Sequence, residues 1–149
     1  MNLVEEFTIT VALKPPLPVG DGPIGTRMYF DVTSGEITGK RVKAKLLGGG
    51  EWALVGPDGF LRPDVRLQAE THDGAYLYIQ YYGLLSMNES VQSAMANGTG
   101  TEYEDQYWYT NPRMETGDPR YAWLNTTFFV AQGRILPNLG VEYRVWRPA

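Results

Sequence analysis

The sequence predicts an all-β fold, an antiparallel β-barrel of about eight or nine strands with one short helix. The 149 residues include 17 Gly, 10 Tyr and 4 Trp, a mixture suited to strands joined by tight turns. Most runs between Gly/Pro clusters alternate with a period of two, whereas only one stretch has helical spacing. Closing such strands into a barrel disposes of exposed sheet edges. The length fits one domain, residues 1–149, with no room for a second core.

Phe7, Ile9, Val11 and Leu13 alternate with Thr8, Thr10 and Ala12, the pattern of a first strand. Pro15-Pro16 stop it, and the Pro/Gly-rich stretch to Gly25 reads as a long loop and candidate pocket rim. Arg27–Val32 and Arg41–Leu47 are the next strands. Gly48-Gly49-Gly50 is followed by neither a Lys-Ser/Thr pair nor a helix, so a β-bulge or corner explains it better than a phosphate loop.

Asp64–Thr71 and Ala75–Tyr82 flank His72-Asp73-Gly74, a strong hairpin signal. A two-residue Asp73-Gly74 turn sets Arg66 opposite Tyr81, Gln68 opposite Ile79 and Glu70 opposite Leu77. Ser86 and Glu89 form a capping box for a helix over Met87–Asn97, with Met87, Val91, Ala94 and Met95 as its apolar stripe. Thr101–Tyr109, Tyr121–Ala131 and Leu139–Trp146 complete the strands.

With no Cys and one His, the chain offers no disulfide, thiolate nucleophile, iron–sulfur cluster, Cys-based zinc site or His-rich catalytic metal site. A metal-free, cofactor-free protein is expected. The formal net charge of −4 leaves no basic field for nucleic acid. The N-terminal stretch lacks a signal-peptide pattern and no run approaches a membrane span, so a soluble, cytoplasmic protein is expected.

Paired ions remain as the source of chemistry. Asp64 and Arg66 share one strand face, and alternation leaves open whether that face meets solvent or lines a cavity. The reading adopted turns it inward and makes Asp64 and Arg66 the centre of a site, with Tyr81 as the acid and Glu51 as the alternative base. Arg41, Trp52, Tyr109 and Trp123 add cationic and aromatic lining for a small, largely apolar or aromatic oxygenated molecule.

Four segments resemble one family: GEITGK from residue 35, LLGGGEW over 46–52, PDGFLRPDVRLQAETHDGAYLYIQYYG over 57–83, and YWYTNPRMETGDPRYAWLNTTFFVAQG over 107–133. Together they are similar to the DUF3237 family, also described as UPF0311, over nearly the whole chain. The resemblance implies a small β-barrel related to the allene oxide cyclase and dirigent barrels. It also implies the chemistry of fungal relatives, cofactor-free enzymes that close an oxygen ring by adding a hydroxyl across an alkene. Asp64, Arg66, Trp123 and Asn125 occupy its motif positions. Relatives usually have Asp at the position of Glu51 and often Arg at that of Tyr109.

The resulting expectation is a cofactor-independent isomerase, cyclase or hydratase-lyase using general acid/base chemistry in a barrel pocket. The alternatives are a small-molecule-binding barrel without turnover and a structural, oligomerising barrel without a pocket. A homodimer is expected from Tyr76, Tyr78 and Tyr82 sharing one hairpin face.

Overall fold

The computed structural model describes residues 1–149. Its strands are β1 (Leu3–Leu13), β2 (Leu17–Gly22), β3 (Gly25–Gly39), β4 (Lys43–Val55), β5 (Phe60–Arg62), β6 (Asp64–Thr71), β7 (Tyr76–Ser86), β8 (Trp108–Thr110), β9 (Arg113–Glu115), β10 (Val130–Leu136) and β11 (Gly140–Pro148). Eight of them close an antiparallel ring in the order β3-β1-β11-β10-β8-β7-β6-β4, with β4 returning to β3. β2, β5 and β9 are appended to that ring, and one helix, α1 (Glu89–Asn97), accompanies it. Eight strands leave an interior just wide enough for side chains to fill. One apolar core of 29 buried residues occupies it.

Several elements depart from the sequence reading. The Pro/Gly stretch is not a loop: β2 pairs with β3 as an outlying hairpin, outside the cavity described below. The expected strand Arg27–Val32 does not stop at Thr33-Ser34-Gly35 but runs through it to Gly39 as one β3, whose register against β1 shifts between Ala12 and Leu13; the expected strand Arg41–Leu47 is the first part of β4. α1 is capped by Asn88, whose side chain accepts from the Val91 N–H, rather than by Ser86, which still belongs to β7.

Thr101–Tyr109 is strand only at its end, after a 3₁₀ turn at Tyr103–Asp105. Pro119–Thr126, expected in part as strand, forms 3₁₀ turns. Pro119 at the first helical position and the Asp118 carboxylate, which accepts from the Arg120 N–H at 2.9 Å, start them. Local capping outweighs the expected strand over this stretch.

The hairpin register differs by one residue from the sequence expectation, with large consequences. The connection is a three-residue loop, His72-Asp73-Gly74: the Thr71 N–H donates to Ala75, the Gly74 N–H donates to Thr71, and Gly74 has φ +94°. Tyr81 is therefore opposite Val65, and Arg66 is opposite Gln80. A slip of one residue moves a strand's side chains to the other face. Val65, Leu67 and Ala69 join Leu77, Ile79 and Tyr81 inside the barrel, while Arg66 and Gln68 stand outside with Tyr76 and Tyr82. The polar hairpin face does not line the interior.

Candidate active site in the barrel

The glycine run decides which way β4 presents Glu51. Upstream, Val42 and Leu46 face the core, and unbroken alternation would turn Trp52 inward and Glu51 outward. A bulge between Leu46 and Gly48 inserts one residue against β6 and reverses that phase. Gly48 and Gly49 have φ of +152° and +143°, and a Cβ on Gly49 would stand 2.1 Å from the Arg66 carbonyl oxygen. Beyond the bulge Glu51 and Ala53 face the core, and Trp52 packs outside on Tyr29 with ring centroids 5.0 Å apart.

Glu51 is 9% exposed and lines a cavity of about 60 Å³ at one end of the barrel. The other walls are almost wholly apolar: Phe30, Leu61, Leu85 and Ile135 from the strands, Met95 from α1, and Leu139 from the β10–β11 turn. Burial, unopposed by a cation or a hydrogen bond, raises the Glu51 pKa from the ordinary 4.5 to about 7.

Three further polar side chains are buried beside it. Tyr81 lies across two strands from Glu51 in one line of register, Glu51 opposite Val65 and Val65 opposite Tyr81. Tyr81 meets Tyr143 edge-on at 5.2 Å between ring centroids, and Tyr143 meets Trp108 at 5.4 Å. Burial first, then the nearby Glu51 charge, pushes the Tyr81 hydroxyl far above its usual range. Tyr143 moves the same way, from burial first and then the influence of Tyr81 and Glu51. Both phenols therefore stay protonated at neutral pH. The Trp108 indole N–H is buried without a hydrogen-bond partner.

Of the nine residues expected at the site, Glu51 and Tyr81 face the interior. Asp64 and Arg66 are a correction: Arg66 is exposed, Asp64 is half-buried opposite Tyr82, and neither lines the cavity. Asp64 does keep one buried, unpartnered carboxylate oxygen. Trp52 and Tyr109 lie on the outer surface. Arg41 and Trp123 come together at the opposite end, the guanidinium 3.6 Å above the indole ring, with Arg41 also bound to Glu6 at 2.7 Å. Asn125 is exposed and holds Thr116, accepting from its N–H at 2.8 Å and donating to its carbonyl at 2.9 Å.

The structure adds Tyr143, which the sequence reading places on a strand but not at the site, and brings in Trp108, one of the aromatics suited to line a pocket. Tyr143 was legible as the partner in alternation of the buried Val145, and Trp108 as the middle residue of Tyr107-Trp108-Tyr109, whose flanking residues are exposed.

With the buried carboxyl inside an eight-stranded barrel established, comparison with known proteins places the chain. The profile of a protein family of unknown function, DUF3237, matches residues 1–148. The chain belongs to that family. A UPF0311 protein of Clostridium acetobutylicum is 31% identical over 139 residues, covering 92% of this chain and 88% of the relative. The crystal structure of a protein with unknown function from that organism is similar at TM-score 0.86 and 28% identity, covering 100% of this chain and 97% of that one.

A conserved protein of unknown function from Rhodopseudomonas palustris superposes with a TM-score of 0.90 at 24% identity, covering 98% and 96% of the two chains. An enzyme from Penicillium herquei shares the fold, with a TM-score of 0.70 at 21% identity over 98% of this chain and 92% of that one. No helix of this DUF3237 member is long and apolar enough to cross a membrane.

Proposed function

We propose that this DUF3237 protein is a cofactor-independent acid/base enzyme acting on a small, largely apolar oxygenated molecule, with Glu51 as its proton-transfer group. The observation that carries this reading is a solitary carboxyl group on an apolar cavity, with its pKa raised to about 7. Such a group exists in both protonation states near neutral pH, where it can both give and take a proton. The Penicillium herquei enzyme on the same fold supports catalysis in this architecture.

Addition of a hydroxyl across an alkene within one molecule suits the site. Protonated Glu51 gives its proton to one alkene carbon, the substrate's hydroxyl oxygen bonds to the other, and the proton released from that oxygen returns to the carboxylate. The product is an isomer of the substrate, so no oxidant or co-substrate is required. Apolar walls keep water from competing for the electron-poor carbon. A 60 Å³ cavity holds only the reacting end of such a molecule; an apolar cavity that takes benzene has a volume of about 150 Å³.

The test is incubation of the wild type and Glu51→Gln with a panel of hydroxyalkenes and hydroxyenones in deuterated water, reading ring ethers and carbon-bound deuterium by mass spectrometry. Turnover by the wild type that Glu51→Gln lowers by about 10² to 10⁴ is expected. Equal turnover by the two proteins contradicts the assignment.

A further inference from the structure

We infer that Trp108, Tyr143 and Tyr81 form a one-way row of hydrogen-bond donors aimed at Glu51, making Tyr143 and Trp108 positioning residues for its carboxyl group when it ionises. The inference deepens the proposed function, and rests on it for the role of Glu51.

An indole can only donate, whereas a phenol both donates and accepts. The buried Trp108 N–H has no hydrogen-bond partner, and the Tyr143 hydroxyl, on the ring it meets edge-on at 5.4 Å, is a group suited to receive it. If the indole supplies a proton to the Tyr143 oxygen, the Tyr143 O–H is free to point only onward. Its next neighbour is Tyr81, 5.2 Å away between centroids. The Tyr81 O–H then points away from Tyr143, toward the carboxyl aligned with it across β6. The donor-only residue at one end thus fixes the direction of every proton along the row.

No other titratable or charged group faces Glu51 from the elements packed around it. β3 presents Phe30, β5 Leu61, β6 Val65 and Leu67, and β7 Leu85, all apolar. Tyr81, aligned with Glu51 across β6, is therefore the phenol placed to support the carboxylate when it forms. Ionisation of Glu51 draws the chain tight, and protonation slackens it, which keeps the group poised between its two forms instead of trapped in the neutral one.

The experiment is a pH titration of ¹³C-labelled protein, following the Glu51 carboxyl together with the indole N–H resonances of the four Trp. In the wild type, the Trp108 indole resonance is expected to shift with the same midpoint as the Glu51 carboxyl while the other three do not. Tyr143→Phe removes one oxygen and keeps the ring, and should raise the Glu51 midpoint by roughly half a pH unit or more. Trp108→Phe should move it in the same direction. Thr110→Val, which removes a buried hydroxyl outside the chain, should leave it unchanged.

A static Trp108 resonance in the wild type, or a Glu51 midpoint indifferent to Tyr143→Phe, overturns the chain even if Glu51 itself titrates near 7. An ordinary carboxyl midpoint for Glu51 overturns the acid/base reading instead, so the two failures are separate. The wild-type measurement decides the matter without any variant needing to fold.

Discussion

Glu6, partly buried, and Glu51, buried, lie at opposite ends of the same barrel, and their surroundings treat them in opposite ways. Around Glu6, Arg41 and Arg147 both bind the carboxylate. Burial acts to raise its pKa, but the hydrogen bonds and charges of the two arginines outweigh it and the net shift is downward. The closing turns are tied in the same manner, with Asp73 receiving the Tyr121 hydroxyl at 2.8 Å and pairing with Arg120 at 3.2 Å.

Glu51 has no such partners and its pKa moves upward. One end of the molecule satisfies its buried charge and is fastened by it. The other leaves a carboxyl unsatisfied beside a cavity, a state that costs stability and that a purely structural barrel has no reason to keep.

That contrast can be attacked first at the bulge. Gly49→Ala places a Cβ against the Arg66 carbonyl at a φ of +143° and should cost about 2 to 4 kcal/mol, read by urea denaturation. A neutral result means β4 can run without the bulge, removing the reason for Glu51 to face inward.

The pH dependence of stability separates the two ends next. The raised Glu51 pKa means that the folded state holds this proton more tightly than the unfolded chain. Its contribution is complete below about 4.5 and is lost as the pH rises through 7. A shift of that size corresponds to about 3 kcal/mol. Glu6 behaves in the reverse sense: its contribution is present above the ordinary carboxyl range and lost on acidification through its lowered pKa. Wild type minus Glu51→Gln should therefore show stability falling between pH 4.5 and 7.5, whereas wild type minus Glu6→Gln should change only below that window. Interchanged windows would reverse the assignment of the two ends.

Removing Glu6 itself leaves two partly exposed guanidinium groups unpaired, and Glu6→Ala should cost about 1 to 2 kcal/mol, discounted for solvent around the arginines. The smallest effect belongs to the outer wall of the hairpin. Arg66→Ala should stay within about 0.5 kcal/mol of the wild type and leave turnover unchanged, because Arg66 projects into solvent away from the cavity. A large loss of turnover from Arg66→Ala would restore the outer face as a site.

Most of the barrel was legible because alternation, turns and core are written locally. Phe7, Ile9 and Val11 read as a strand and are one, and Asp64–Thr71 with its partner reads as a hairpin and is one. The site was harder because it depends on two one-residue choices. Whether His72-Asp73-Gly74 closes as two residues or three decides which face Tyr81 occupies, and both closures are compatible with Asp-Gly. Whether the glycine run inserts a bulge decides the direction of Glu51; Gly48-Gly49-Gly50 predicts a bulge or a corner, but a glycine run does not say whether the strand beyond it changes phase. Arg41 and Trp123 read as lining of the site, yet they meet at the other end of the barrel, through contacts between β1, the β3–β4 turn and the 3₁₀ turns that no local pattern reports.

The most direct test is a ¹³C NMR titration of the side-chain carboxyls of Glu51 and Glu6 in the same sample. Glu51 should titrate near 7 and Glu6 below the ordinary glutamate range. If both titrate together at the ordinary value of 4.5, the cavity holds no poised acid/base group and the difference between the two ends of the barrel disappears.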